Sequence, residues 1–296
     1  MTIQFNCPNC DALIAFADKH CGKRARCTTC GQLFIIPSGD KEKAKKVKLP
    51  KETSEPVPGF YRAVFVDSWK LFIDSENITS LVFVIAAVCF RFFSAGSFCC
   101  GYVTYFVVWG WLLGFYLNII YETAFDINKL PEIYLGTSIT FIWYIVKPFF
   151  LFFCTMAAVQ LPFVITLALL KDKGLTYENM WQAEFCLRLL LQVLFILGLF
   201  LFPIAILTTA VGGDITMFRP DYFFVPVFRA FMPYVIVVSL LATAAALEMQ
   251  TTQYTGTDLS AMAYHLTRDI VVQATAIIAM RSIGLFYRHY SCHFPW

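Results

Sequence analysis

From about residue 78 onward the polar positions withdraw into short breaks between long apolar runs. Runs near residues 78–93, 101–121, 148–170, 185–211, 231–249 and 269–287 approach the length that crosses roughly 30 Å of hydrocarbon at about 1.5 Å per helical residue. The breaks are Ser94-Ala95-Gly96-Ser97, a polar loop with Glu122, Asp126, Lys129 and Glu132, Lys171-Asp172-Lys173-Gly174, Gly212-Gly213, and residues 250–268. Residues 139–170 are too long for one span and contain Pro148 and Pro162. A proline inside a helix removes a hydrogen bond and tends to break it. The pattern therefore predicts an approach helix over 139–146 and the third span over 148–170. Pro203 is expected to kink the fourth span. Residues 214–229 mix Arg219, Asp221 and Arg229 with Pro220 and Pro226, as an interfacial or re-entrant connector would. The fold class expected is an all-α polytopic membrane bundle of about six transmembrane helices over 77–296, preceded by a small β zinc ribbon.

Residues 59–76 read as a short amphipathic helix. Lys70, Asp67 and Asp74 share one side, and Phe60, Tyr61, Val64, Phe65, Leu71 and Phe72 the other. Its length and internal charges place it in the headgroup plane. Upstream, residues 38–58 form a basic linker expected to be disordered, with Lys41, Lys43, Lys45, Lys46, Lys48 and Lys51. Such lysines are attracted to anionic lipid headgroups by about 1 kcal/mol each. They also mark this side as cytoplasmic, and the charges of the other loops agree, so both termini are expected in the cytoplasm. Asn77-Ile78-Thr79 fits a glycosylation sequon, but this orientation puts it on the inner side.

Residues 1–37 have a different character. Ile3-Gln4-Phe5, Leu13–Phe16 and Leu33–Ile36 read as short strands. Between them stand Cys7-Pro8-Asn9-Cys10 and Cys27-Thr28-Thr29-Cys30. Two CxxC pairs at this separation supply four thiolates for a tetrahedral Zn²⁺, with Cys7, Cys10, Cys27 and Cys30 as ligands. No signal peptide is read at the start, so a reducing compartment is expected, where such pairs mean metal rather than disulfide. His20 and Cys21 are left over. Lys23, Arg24 and Arg26 form a basic edge available to anionic lipid, an acidic partner or nucleic acid. The net charge of +3 is far from that of a dedicated nucleic-acid binder.

Composition supports lipid contact: 58% of residues are apolar and only 15% charged, against about 45–50% and about 25% in soluble domains. No HExxH, GxSxG, phosphate loop or paired-carboxylate pattern is present, so nothing points to an enzyme. Charges in or beside the spans are Arg91, Glu184, Arg188, Glu248, Arg268, Asp269 and Arg281. Arg281 is the deepest, and Glu248 is its expected partner in an intramembrane polar pair. His289 and His293 flank Cys292 near the C-terminus and read as a polar tail rather than a metal site.

The ribbon pattern, Ile3-x-Phe5-x-Cys7-Pro8-x-Cys10 through Gly22-Lys23-x-x-Arg26-Cys27-x-x-Cys30-Gly31 to Pro37, resembles the zinc ribbon that heads many planctomycete-type bacterial proteins. Leu130-Pro131-Glu132, residues 222–234, and Gly284-Leu285-x-Tyr287-Arg288-His289 with Trp296 resemble multi-pass membrane proteins of that group. The resemblance implies architecture and no reaction. The functional expectation is an integral inner-membrane protein whose zinc ribbon recognises an unknown cytoplasmic protein partner, as a scaffold or regulator. The alternative is a small transporter or channel.

Overall fold

The computed structural model describes residues 2–6, 13–17, 24–26, 33–35, 45–46, 55–94, 100–133, 139–170, 182, 184–212, 220–251 and 258–294. The chain divides into two compact units, Met1–Glu55 and Pro56–Trp296.

In the first unit the alternating segments are strands. β1 (Thr2–Asn6) pairs antiparallel with β2 (Leu13–Ala17), setting Phe5 opposite Ile14. β3 (Arg24–Arg26) pairs antiparallel with β4 (Leu33–Ile35). β5 (Lys45–Lys46) adds to β4, with Lys46 opposite Phe34. The lysine linker is therefore not wholly without structure: two extended lysines satisfy the open edge of β4. Lys41, Lys43 and Lys48 lie outside the described residues.

The second unit begins with α1 (Phe60–Arg62), a π-helical turn (Ala63–Asp67) and α2 (Ser68–Lys70). The Ser68 hydroxyl donates to the Ala63 carbonyl at 3.0 Å, across the widened turn. Phe60, Val64, Ser68 and Leu71 are buried, while Tyr61, Phe65, Val66, Trp69 and Ile73 are exposed. The segment thus packs on the bundle by one apolar face and presents a second outward, as a helix in the headgroup plane does. Asn77, 1% exposed, ties it down. Its amide nitrogen donates to the Leu71 carbonyl at 3.1 Å and its oxygen accepts from Leu130 N–H at 2.9 Å. A buried amide with both ends bonded is unsuited to carrying a glycan.

Eight further α-helices are described: α3 (Ile78–Ser94), α4 (Cys100–Ala124), α5 (Ile139–Val159), α6 (Leu161–Leu169), α7 (Phe185–Gly212), α8 (Pro220–Arg229), α9 (Phe231–Met249) and α10 (Leu259–Tyr290). Six helical stretches are long and apolar enough to cross a membrane: Ser75–Ser94, Val103–Ala124, Ile142–Val159, Phe185–Gly212, Phe231–Met249 and Leu259–His293. Large apolar side chains such as Phe90, Trp143, Phe153, Ile196 and Phe228 stand exposed around the unit. An apolar surface this extensive belongs in lipid rather than water. Six such helices and this surface suit an integral membrane protein of helical type.

Two boundaries differ from the sequence expectation. α5 runs unbroken through Pro148, and the break falls at Gln160 instead, with Pro162 in the first turn of α6. Pro162 occupies the helix-start position that proline suits. Pro148 packs close to Gly114 of α4: a Cβ on Gly114 would lie 3.1 Å from Pro148 Cγ and 3.4 Å from the Tyr144 carbonyl oxygen. That carbonyl, four residues before Pro148, is the one whose donor the proline removes. The second difference is α10, which starts at Leu259, some ten residues before the expected span. The Asp258 side chain caps it, accepting from Ser260 N–H at 3.0 Å and from the Ser260 hydroxyl at 2.9 Å. Residues 259–268 are polar enough to resemble a loop, but nothing in them breaks a helix.

The core lies where α4 and α10 meet. Phe115, Ile119, Ile120, Leu207, Ala279, Ile283 and Phe286 are essentially inaccessible there. A small residue permits that approach: a Cβ on Gly284 would stand 2.6 Å from the Ile120 carbonyl oxygen, and Gly110 does the same between α4 and α5, where a Cβ would stand 2.7 Å from the Ile145 carbonyl oxygen. At one end of the unit Val57 and His289 clamp together. Val57 N–H donates to the His289 carbonyl at 2.8 Å, and His289 Nδ1 meets the Val57 carbonyl at 2.8 Å. The start of this unit and the last turn of α10 therefore lie at the same end.

Candidate functional site

Four helices bring polar side chains to the other end of the bundle. Arg91 sits in the last turn of α3, Glu248 in the last turn of α9, and Asp269 and Gln273 one turn apart on α10; Tyr116 comes from α4. An apolar helix carries such residues only where they can meet one another, since lipid offers no hydrogen bonds.

Here they meet. Arg91 Nη1 donates to Glu248 Oε1 at 2.9 Å, and Arg91 Nη2 lies 3.9 Å from Asp269 Oδ2. Gln273 Nε2 donates to Glu248 Oε2 at 2.9 Å, and the Tyr116 hydroxyl donates to Gln273 Oε1. The Arg91 guanidinium also stands over the Trp109 ring, 5.4 Å from its centroid. Arg91 and Asp269 are both buried, at 7% and 4% exposure. One guanidinium therefore serves two carboxylates in a poorly solvated place, where Coulomb terms are strong. Glu248 takes the close, hydrogen-bonded share. Asp269 is held less closely, and its Oδ1 is buried without a hydrogen-bond partner. Arg268, the preceding residue, directs Nη2 to the Gln250 carbonyl at 2.5 Å, at the C-terminal end of α9.

This network stands at one end of a cavity of about 1270 Å³ formed by α3, α4, α5, α7, α9 and α10. Leu113, Phe152, Leu199, Phe202, Val238 and Met280 are among the apolar side chains that line the rest. Small-molecule pockets usually hold about 300–1,000 Å³, so this one has room for a long chain. Its described lining contains no serine, cysteine or histidine. The usual nucleophile–base pair is therefore missing from that lining. The arrangement can hold an amphiphile, with its tail on the aliphatic wall and its head at the charged end.

The sequence placed Glu248 against Arg281, but the structure partners Glu248 with Arg91. Arg281 lies twelve positions beyond Asp269 along α10, roughly 18 Å at about 1.5 Å per residue. Its Nη2 is 3.5 Å from Asn128 Oδ1, and the neighbouring Arg288 bonds Asn128 Oδ1 at 3.0 Å and Asp126 Oδ1 at 2.5 Å. The Arg188 guanidinium stands over the Phe185 ring at 5.9 Å. Tyr116, Trp109 and Gln273 were not singled out from sequence, because uncharged polar residues inside apolar runs are common. Among the described residues no group of three or more His, Cys, Asp or Glu could hold a metal. Cys7, Cys10, Cys27 and Cys30 lie outside them.

No protein family, curated protein or solved structure matches the chain.

Proposed function

We propose that this protein is a non-catalytic inner-membrane receptor or carrier for an amphiphile, with a cytoplasmic zinc-ribbon module. The observation that carries the reading is a large apolar cavity with the buried Arg91–Glu248–Asp269–Gln273–Tyr116 network at one end. A scaffold needs no such cavity. A buried charged network is costly to maintain unless it holds structure or meets a ligand.

Zinc at the N-terminus is part of the proposal. Six residues separate the paired Asn6 and Leu13, and six separate the paired Arg26 and Leu33. In each six the first and fourth are cysteine: Cys7 and Cys10, then Cys27 and Cys30. The same CxxC placement after the first strand of two antiparallel pairs suits a four-thiolate zinc site, which would supply folding free energy to a unit too small for its own core. The ribbon would recognise a cytoplasmic protein, with Lys41, Lys43, Lys45, Lys46 and Lys48 near anionic lipid. The resemblance to planctomycete-type zinc-ribbon membrane proteins supports the same plan.

The cavity reading is tested by titrating the full chain, in phosphatidylcholine nanodiscs, with 12-bromododecanol. Bromine quenches nearby indoles, and Trp109 lines the cavity. A saturable quenching component that disappears in Trp109→Phe and weakens in Ala245→Phe is expected. Linear quenching, identical in both variants, would overturn it.

A further inference from the structure

We infer that the cavity opens sideways into the bilayer between α7 and α9 and takes one acyl chain of a two-chain membrane lipid. The inference rests on the amphiphile reading above and adds the class of ligand and its route.

The side-chain contacts described between α7 and α9 gather at one level. The Tyr234 hydroxyl donates to the Phe200 carbonyl at 2.6 Å. The Phe200 ring stands 5.1 Å from that of Tyr234 and 6.4 Å from that of Phe231. Toward the charged end both helices still line the cavity, α7 with Ile196 and Leu199, α9 with Ala242, Ala245 and Ala246. All five are exposed, Ile196 to 63%. A side chain lining a closed cavity is screened by its neighbours, and these are not. The three alanines also leave the α9 side of the gap low, so an alkyl chain can lie close to the helix.

Both helices are long and apolar enough to cross a membrane, so hydrocarbon lies outside the opening. A ligand dissolved in water would have to pass through lipid to reach it. Bilayer lipids are already there in excess, and mass action favours the abundant ligand.

The depth fits a chain in one leaflet. The lining runs along α9 from Glu248 back to Val238, and along α10 from Asp269 to Met280. At about 1.5 Å per residue these stretches are roughly 15 Å and roughly 16 Å long. Half of a hydrocarbon layer of about 30 Å is about 15 Å. Arg91 and Glu248 stand in the last turns of α3 and α9, at the depth where a lipid carries its polar head. The leaflet concerned is the one farther from the Val57–His289 clamp. The open side favours two chains over one: a lipid can place one chain on Val238, Leu241 and Met280 while the other stays in the bilayer through the gap.

The test changes the lipid of the nanodisc. The full chain is placed in phosphatidylcholine brominated midway along one acyl chain, and its fluorescence is compared with that in unbrominated phosphatidylcholine. The difference between wild type and Trp109→Phe isolates Trp109, which lines the cavity. Most of the Trp109 emission is expected to be lost in the brominated lipid, and Ala245→Phe, which narrows the cavity at its opening, should restore it. Trp143, exposed on α5 and isolated in the same way with Trp143→Phe, should be quenched with or without Ala245→Phe. Equal Trp109 emission in the two lipids, while 12-bromododecanol still saturates, overturns the inference and leaves the cavity reading standing. Quenching of Trp109 that persists undiminished in Ala245→Phe also overturns it, because the indole then meets bulk lipid rather than a chain in the cavity. If the bromoalcohol itself never saturates, the cavity reading fails instead.

Discussion

Arg91, at the end of α3, and Glu248, at the end of α9, form a 2.9 Å hydrogen-bonded ion pair across 157 positions of sequence. Among the described ion pairs, Arg91 is the partner of Glu248, while Arg91 also approaches Asp269 at 3.9 Å. Removing Arg91 takes away the guanidinium that lies between Glu248 and Asp269, so Arg91→Met is expected to cost about 3–5 kcal/mol. Glu248→Gln leaves the Arg91–Asp269 attraction in place and should cost less. The triple change Arg91→Met, Glu248→Gln, Asp269→Asn should recover much of the loss, because no unpaired charge remains. Unfolding in mixed detergent–dodecyl sulfate micelles measures all three. An Arg91→Met protein as stable as wild type would show that the pair holds nothing together.

The contact between α4 and α10 depends on Gly284. A methyl group there would stand 2.6 Å from the Ile120 carbonyl oxygen and 2.7 Å from Thr123 Cβ, neither of which is the free end of a flexible chain. Gly284→Ala is therefore expected to force the helices apart and destabilise by about 1–3 kcal/mol, although alanine is the better helix former. The same micelle unfolding assay gives the sign. A stabilised variant would mean that helix propensity outweighs the close approach.

Asp258 lies outside the apolar core, and its response to acid is predictable. The Ser260 hydroxyl and N–H hold its carboxyl below the usual carboxylate range. A carboxyl lowered on folding contributes stability above its unfolded pKa and loses it as pH falls through the lower, folded value. Amide exchange at Ser260 and Ala261, corrected for the intrinsic effect of pH, should therefore accelerate as the carboxylate protonates. Asp258→Asn, which has a side-chain oxygen but no titrating group, should flatten that dependence. Protection that does not change with acid would show that the first turn of α10 is held by something else.

The zinc assignment predicts one zinc per chain by elemental analysis. Cys27→Ser or Cys7→Ser should lower the content severely. Cys21→Ser should leave it unchanged, because the paired spacing does not need Cys21. Full zinc content in Cys27→Ser would move the ligand set to Cys21 or His20.

Much of the architecture is legible in the sequence because a span announces itself through length and apolarity alone. The stretches around 78–93, 185–211 and 231–249 need no tertiary information. The departures have local causes. Pro148 is a breaker in isolation but packs into the space that Gly114 leaves on another helix, and sequence order does not reveal that contact. Residues 259–268 read as a loop from polarity, yet an Asp258 cap suffices to start α10 there. The candidate site was half visible. Arg91, Glu248 and Asp269 stand out as charges in apolar surroundings, but their convergence is a property of three helices packed together. Arg281 drew attention by its depth along the chain, and depth did not make it a neighbour of Glu248.

The most direct measurement of the central claim is native mass spectrometry of the full chain released from membranes in mild detergent. The account predicts the 33.7 kDa protein mass plus zinc and one retained amphiphile, with the amphiphile depleted in Ala245→Phe. A chain that always flies without any lipid-like mass, or that retains the same mass in the cavity variant, would contradict it.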